Sequence, residues 1–132
     1  MKRVYVAGRY SDTSAISVLD NIRKGIAAAR DLLLRGYAPF CPFLDNQFII
    51  SADDSFMSSI DIHTFYDYSI AWLAVSDCML LLPDRIHDSK GVQAEIAFAH
   101  EHNIPIFTSI DAIDEFFSST AEPLGGIGET ER

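Results

Sequence analysis

The sequence predicts an α/β protein whose parallel sheet is covered by helices on both faces, and three observations carry that expectation. The runs VYVA at 4–7 and CMLLL at 78–82 are apolar without alternation, so they read as strands buried on both sides. Stretches between them repeat apolar residues at steps of three and four, the spacing of amphipathic helices. Strand and helix then alternate along the chain, the order that builds a parallel sheet with helical crossovers. The expected architecture is a three-layer, flavodoxin- or Rossmann-like sheet of four to five strands.

The first strand, Val4 to Ala7, is closed by Gly8. Ile16, Leu19, Ile22, Ile26, Ala29 and Leu33 form a helical stripe expected to face the sheet, and Gly36 stands where a glycine would end that helix. Tyr37 to Phe40 is a short second strand ended by prolines, and 43–54 is the least regular stretch. A helix is expected over roughly 56–75, with Ile60, Phe65, Tyr68, Trp72 and Leu73 turned inward. Cys78 to Leu82 is the third strand, 89–102 a helix, Ile104 to Phe107 a fourth strand, and 111–117 a short helix. Residues 1–118 are expected to form one domain. The Gly-, Glu- and Thr-rich stretch 119–132 reads as a flexible tail.

Ten Lys and Arg stand against nineteen Asp and Glu, a formal charge of −9. Such a surface repels a phosphate backbone and argues against a nucleic acid polymer as partner, while leaving room for a small anion at a local positive site. The apolar runs are too short for a membrane span. The opening MKRVYVAG enters a strand without a signal-peptide pattern, so a cytoplasmic protein is expected. Cys41 and Cys78 fall in apolar strand-like stretches and read as reduced thiols.

In open parallel sheets, ligands lie beyond the carboxyl ends of the strands, where the strand order reverses. That rule selects Gly8–Ser11, 42–47 and 83–91. Glu95 is the leading candidate for chemistry. Its neighbours at three and four residues are Gly91, Val92, Phe98 and Ala99, so its helix offers it no ion-pair partner. A carboxylate on a largely apolar face needs a task or a remote partner. An ordinary half-exposed glutamate is the plain alternative. Ser89, Lys90 and Gly91 open the same helix with a hydroxyl, a residue lacking Cβ and backbone N–H groups at a positive dipole end, a terminus suited to an anion. Helices also begin this way routinely.

Gly8, Arg9, Tyr10 and Ser11 follow the first strand: a turn, a guanidinium for an oxyanion, an aromatic ring for stacking, and a hydroxyl. Asp45, Asn46 and Gln47 offer hydrogen-bonding edges for a base, or are a plain turn. His100 and His102 are two apart on a helix and do not make a metal pair, so no metal is expected.

The chain resembles the nucleoside 2-deoxyribosyltransferase superfamily, including its deoxyribonucleoside 5′-monophosphate N-glycosidases and their short bacterial and phage relatives. The resemblance rests on VYVAGRYS, LLLRGYAPFCP, SDCMLLLP and SKGVQAEIAFAHEHNIPIF, and covers roughly residues 2–108. The S-x-G-x-x-x-E spacing of Ser89, Gly91 and Glu95 is its most specific element, and PFLDNQ is similar to the loop beside the nucleoside.

The resemblance implies an enzyme that cleaves or transfers at the N-glycosidic bond of a nucleoside 5′-monophosphate, with Glu95 as nucleophile on C1′. Tyr10 would orient it or lie against the sugar, and Ser89, Gly91 and Arg9 would take the phosphate. It also implies no organic cofactor and a homodimer or larger assembly, with the aromatic-rich second helix as interface. Transfer among unphosphorylated nucleosides, or nucleotide binding without catalysis, are the alternatives. One position departs: the family's Asp eight residues before Asp77 is Ser69 here. The nearest carboxylate, Asp67, lies about 200° around the helix, so either Asp67 or Asp45 serves as the acid, the leaving base needs less help, or activity has been lost.

Overall fold

A computed structural model of the chain describes residues 1–42, 48, 50–83 and 88–119. The tail expected at 119–132 lies outside them except for Ser119, and so do Asp45, Asn46 and Gln47.

Four parallel strands form the sheet in the order β2-β1-β3-β4, with β1 Arg3–Ala7, β2 Ala38–Phe40, β3 Cys78–Leu81 and β4 Ile106–Phe107. After β2 the chain returns to the far side of β1, so the strand order reverses between β1 and β3. A crevice therefore opens beyond their carboxyl ends. The helices are α1 Ala15–Leu34, α2 Asp54–Ser59, α3 Ile62–Ala74, α4 Lys90–Glu101 and α5 Ile110–Ser119.

The non-alternating runs do mark the two central strands. Val4, Val6, Cys78 and Leu80 point to one face, against Leu32 of α1 and Ile113 of α5. Tyr5, Ala7, Met79 and Leu81 point to the other, against Leu73 of α3 and Val92 and Ala99 of α4. Each fully buried aliphatic side chain contributes about 1.5–3 kcal/mol. The two-residue period of the strand thus delivers Tyr5 to the α3–α4 side. Cys41 and Cys78 are free thiols, and burial pushes Cys78 up to about 12.

Two helix expectations need correction. On α1 the residues turned onto the sheet are Asn21, Gly25 and Leu32, whereas Ile16, Leu19, Ile26 and Leu33 are exposed. The stripe is rotated by about one residue because Asn21 faces inward for a polar reason: its Nδ2 donates to the Tyr10 carbonyl at 3.1 Å. Gly36 does end α1, at φ 92°, a region that favours glycine.

The single helix expected over 56–75 is two. Asp61 is extended and its carboxylate accepts from Thr64 N at 3.0 Å, capping α3 and separating it from α2. That hydrogen bond also holds the Asp61 carboxyl below its usual range. Within α3, Ser69 and Leu73 are buried, and Trp72, expected inward, is 45% exposed with its ring stacked on Phe40.

Candidate active site

The crevice at the β1–β3 reversal holds a cavity of about 290 Å³. Gly8, Arg9, Tyr10 and Ser11 line it after β1, and Pro42 after β2. Ile62, Phe65, Tyr66 and Ser69 of α3 form one wall. Asp88, Ser89, Lys90, Gly91, Val92 and Glu95 form another at the start of α4. Gly8 packs closely, since a Cβ there would meet Leu82 Cδ1 at 3.0 Å and Leu82 Cβ at 3.2 Å and the Leu82 side chain would have to give way by a few tenths of an ångström. A Cβ at Gly91 would find Tyr66 Cε1 at 3.7 Å, an ordinary contact, so its missing side chain leaves room in the cavity rather than relieving a clash.

Glu95 is half-buried and its remote partner is Tyr5, whose hydroxyl donates to Oε2 at 2.5 Å. Burial first, and then the Glu95 charge, push the Tyr5 phenol far above its usual range, so it stays a donor. The Ser69 hydroxyl beside the phenol pulls the other way. The carboxylate is therefore aimed by a fully buried side chain of the central strand.

Tyr10, expected to orient Glu95, lines the cavity, but the phenol bonded to the carboxylate belongs to Tyr5. Sequence reasoning missed Tyr5 because it read the residue as strand core. The signal was present all the same: a tyrosine buried in a central strand needs a partner for its hydroxyl, and Glu95 is a carboxylate whose own helix offers it no ion pair.

Ser89 caps α4, its Oγ accepting from Val92 N at 3.3 Å. Helix geometry leaves the first-turn N–H groups, those of Lys90 and Gly91 among them, without intrahelical acceptors at the cavity edge. Arg9 is largely buried and, among the described residues, faces two carboxylates, Asp12 at 3.6 Å and Asp88 at 3.8 Å. Asp67 is exposed and does not line the cavity, so it does not join the site. Among the described residues, no group of three His, Cys, Asp or Glu side chains comes together as a metal site would require. No helix among them is long and apolar enough to cross a membrane.

The strand order and the crevice at its reversal define a flavodoxin- or Rossmann-like α/β protein. No protein-family model matches the chain, and no curated protein does either. Among solved structures it is similar to a 2-deoxyribosyltransferase from the psychrotolerant bacterium Bacillus psychrosaccharolyticus. The TM-score is 0.52, over 79% of this chain and 69% of that one, at 16% sequence identity. The two share a fold.

Proposed function

We propose that this chain cleaves or transfers at the N-glycosidic bond of a (deoxy)ribonucleoside 5′-monophosphate, with Glu95 as nucleophile. The observation that carries the reading is the Glu95 carboxylate, hydrogen-bonded by a buried tyrosine and lining a cavity at the strand-order reversal. One Glu95 oxygen attacks C1′ as the C1′–N bond breaks, and the bonding electrons leave with the base, which takes a proton from solvent water; the water that later opens the ester returns a proton to solvent. The glycosyl ester is then opened at C1′ by water, or by a second base, returning the carboxylate. Tyr5 keeps the nucleophile aimed through both steps. Arg9, Ser89 and the first turn of α4 receive the phosphate, and Tyr10 and Tyr66 flank the sugar and base.

A second reading is transfer among unphosphorylated nucleosides. The similar fold of a 2-deoxyribosyltransferase supports it, as does Asp88, a carboxylate beside the proposed phosphate end. In either case we infer a cytoplasmic homo-oligomer. Trp72, 45% exposed, leaves an apolar ring of α3 uncovered and supports association there.

The test is a product assay on deoxynucleoside 5′-monophosphates and deoxynucleosides, with and without an acceptor base. Free base from the monophosphates is the expected product, and exchanged nucleoside would select the second reading. Glu95→Gln is expected to abolish turnover and the glycosyl-enzyme adduct seen by mass spectrometry. Full turnover by that variant would overturn the mechanism.

A further inference from the structure

One guanidinium in the cavity faces two carboxylates of very different standing. Arg9 Nε lies 3.6 Å from Asp12 Oδ2, and Arg9 Nη1 lies 3.8 Å from Asp88 Oδ2. The Asp12 side chain is 5% exposed, and its other carboxylate oxygen accepts from Thr13 N at 2.7 Å. The Asp88 side chain is 68% exposed and reaches Arg9 from the solvent side, ahead of α4. Both separations exceed ordinary hydrogen-bond length, so charge rather than directional bonding holds the pairs. Exposed pairs of this kind are weak, because each partner is well solvated apart. A buried carboxylate, by contrast, cannot leave without stranding the cation beside it.

We propose that Asp88 is an exchangeable counter-ion of Arg9. It shares the guanidinium with Asp12 when no anion is bound, and it swings into solvent when a phosphate monoester enters. Asp12 stays behind as the fixed anchor. The inference rests on the reading of Arg9 as a phosphate-binding residue and adds to it a residue that sets selectivity. A dianionic phosphate matches the planar guanidinium fork and outcompetes one mobile carboxylate. An unphosphorylated sugar offers only a neutral hydroxyl and leaves the Arg9–Asp88 pair in place. Asp88 therefore determines how strongly the site favours phosphorylated ligands over unphosphorylated ones, and the two carboxylates that face this cation among the described residues have opposite effects on phosphate binding.

The experiment is calorimetric titration of the full chain with 2-deoxyribose 5-phosphate and, separately, with a deoxynucleoside. Wild type, Asp88→Asn and Asp12→Asn are compared. Asp88→Asn is expected to tighten the sugar phosphate about three- to tenfold, the effect of removing one like charge a few ångströms from an anion at a partly exposed site. The ratio of the two dissociation constants should shift by the same factor, and added salt should shrink the shift. Asp12→Asn is expected to weaken the sugar phosphate. Should that variant fail to fold on melting, the exposed Asp88 decides the matter alone. Equal shifts for both probes, or weaker phosphate binding in Asp88→Asn, would overturn the proposal.

The sugar phosphate has no N-glycosidic bond, which keeps this test separate from the catalytic one. Opposite-signed shifts without cleavage of nucleotides would leave the counter-ion standing and remove the glycosidase reading. Cleavage with an unchanged ratio would do the reverse, and no phosphate binding by any of the three proteins would overturn the counter-ion together with the phosphate site it rests on.

Discussion

The Tyr5 hydroxyl donates to Glu95 Oε2 across 2.5 Å, tying the central strand to α4 through two residues 90 positions apart. Tyr5→Phe keeps the ring and its contact with Phe40 at 5.9 Å while deleting the donor. A hydrogen bond to a charged group is worth about 1.5–3 kcal/mol. If the bond aims the nucleophile, turnover in Tyr5→Phe falls by about 10- to 100-fold, with a smaller change in KM. Single-turnover formation of the glycosyl-enzyme adduct should slow by the same factor. An unchanged kcat would remove Tyr5 from the mechanism.

The same phenol predicts an alkaline limit to stability. Its folded pKa is raised, by burial and then by Glu95, from an unfolded value of 10.0. Below pH 10 both states carry the proton and nothing is lost. Above it the unfolded state ionises first, so stability declines as pH rises. Tyr37 is raised by burial and by its bond to Asp114 and adds a term of the same sign. Melting temperature measured upward from pH 9 should fall more steeply in wild type than in Tyr5→Phe. Parallel curves would contradict this.

These two residues also show where the sequence was readable. Parallel α/β order, both central strands and the Ser89–Gly91–Glu95 helix could be read because each depends on local spacing. The Tyr5–Glu95 pair could not be read from spacing, since it joins residues distant in sequence through the sheet. Trp72 was misplaced for a related reason. An aromatic at helical spacing marks a face but not whether that face meets the sheet or solvent, and here Ser69 and Leu73 take the inward positions.

Ser69 supplies the next prediction. It is 7% exposed and lies beside the phenol that holds Glu95. Ser69→Asp introduces a second carboxylate beside that pair, where burial and the Glu95 charge both raise its folded pKa. A raised carboxylate costs nothing below its unfolded pKa of about 4 and progressively more above it. The loss in melting temperature relative to wild type should therefore be larger at pH 8 than at pH 4.5. A loss independent of pH would mean a packing defect instead.

Acid stability has a separate source on the opposite face. Asp114 accepts from the Tyr37 hydroxyl at 2.6 Å and from Arg35 Nη1 at 2.5 Å, fastening α5 to the end of α1. The Tyr37 bond first, and then Arg35, hold the Asp114 carboxyl below its usual range. A depressed carboxylate contributes stability that is present above its unfolded pKa and lost as pH falls through the folded one. Asp114→Asn should thus lower stability at pH 7 and narrow its gap to wild type below about pH 4. The group is partly open to solvent, so the effect should be modest and reduced by salt. A gap that persists unchanged at pH 3 would assign the loss to geometry rather than charge.

The rotation of α1 gives the sharpest test of the fold. Leu32 and Leu33 are adjacent in one helix, yet Leu32 is 0% exposed and Leu33 is 56%. The apolar stripe drawn from spacing runs through Leu33, while the structure packs Leu32 against Val4, Val6 and Ile113. Leu32→Ala removes buried methyl groups and leaves a cavity, at a cost of about 2–5 kcal/mol. Leu33→Ala touches no core and should stay within about 0.5 kcal/mol. Urea unfolding of both variants at low protein concentration, with solution mass recorded alongside, separates fold from association. If Leu33→Ala proved the costlier change at a concentration where the chain is monomeric, α1 would be turned the other way. Asn21 would then lose its reach to the Tyr10 carbonyl, and the loop carrying Arg9 would lose that support.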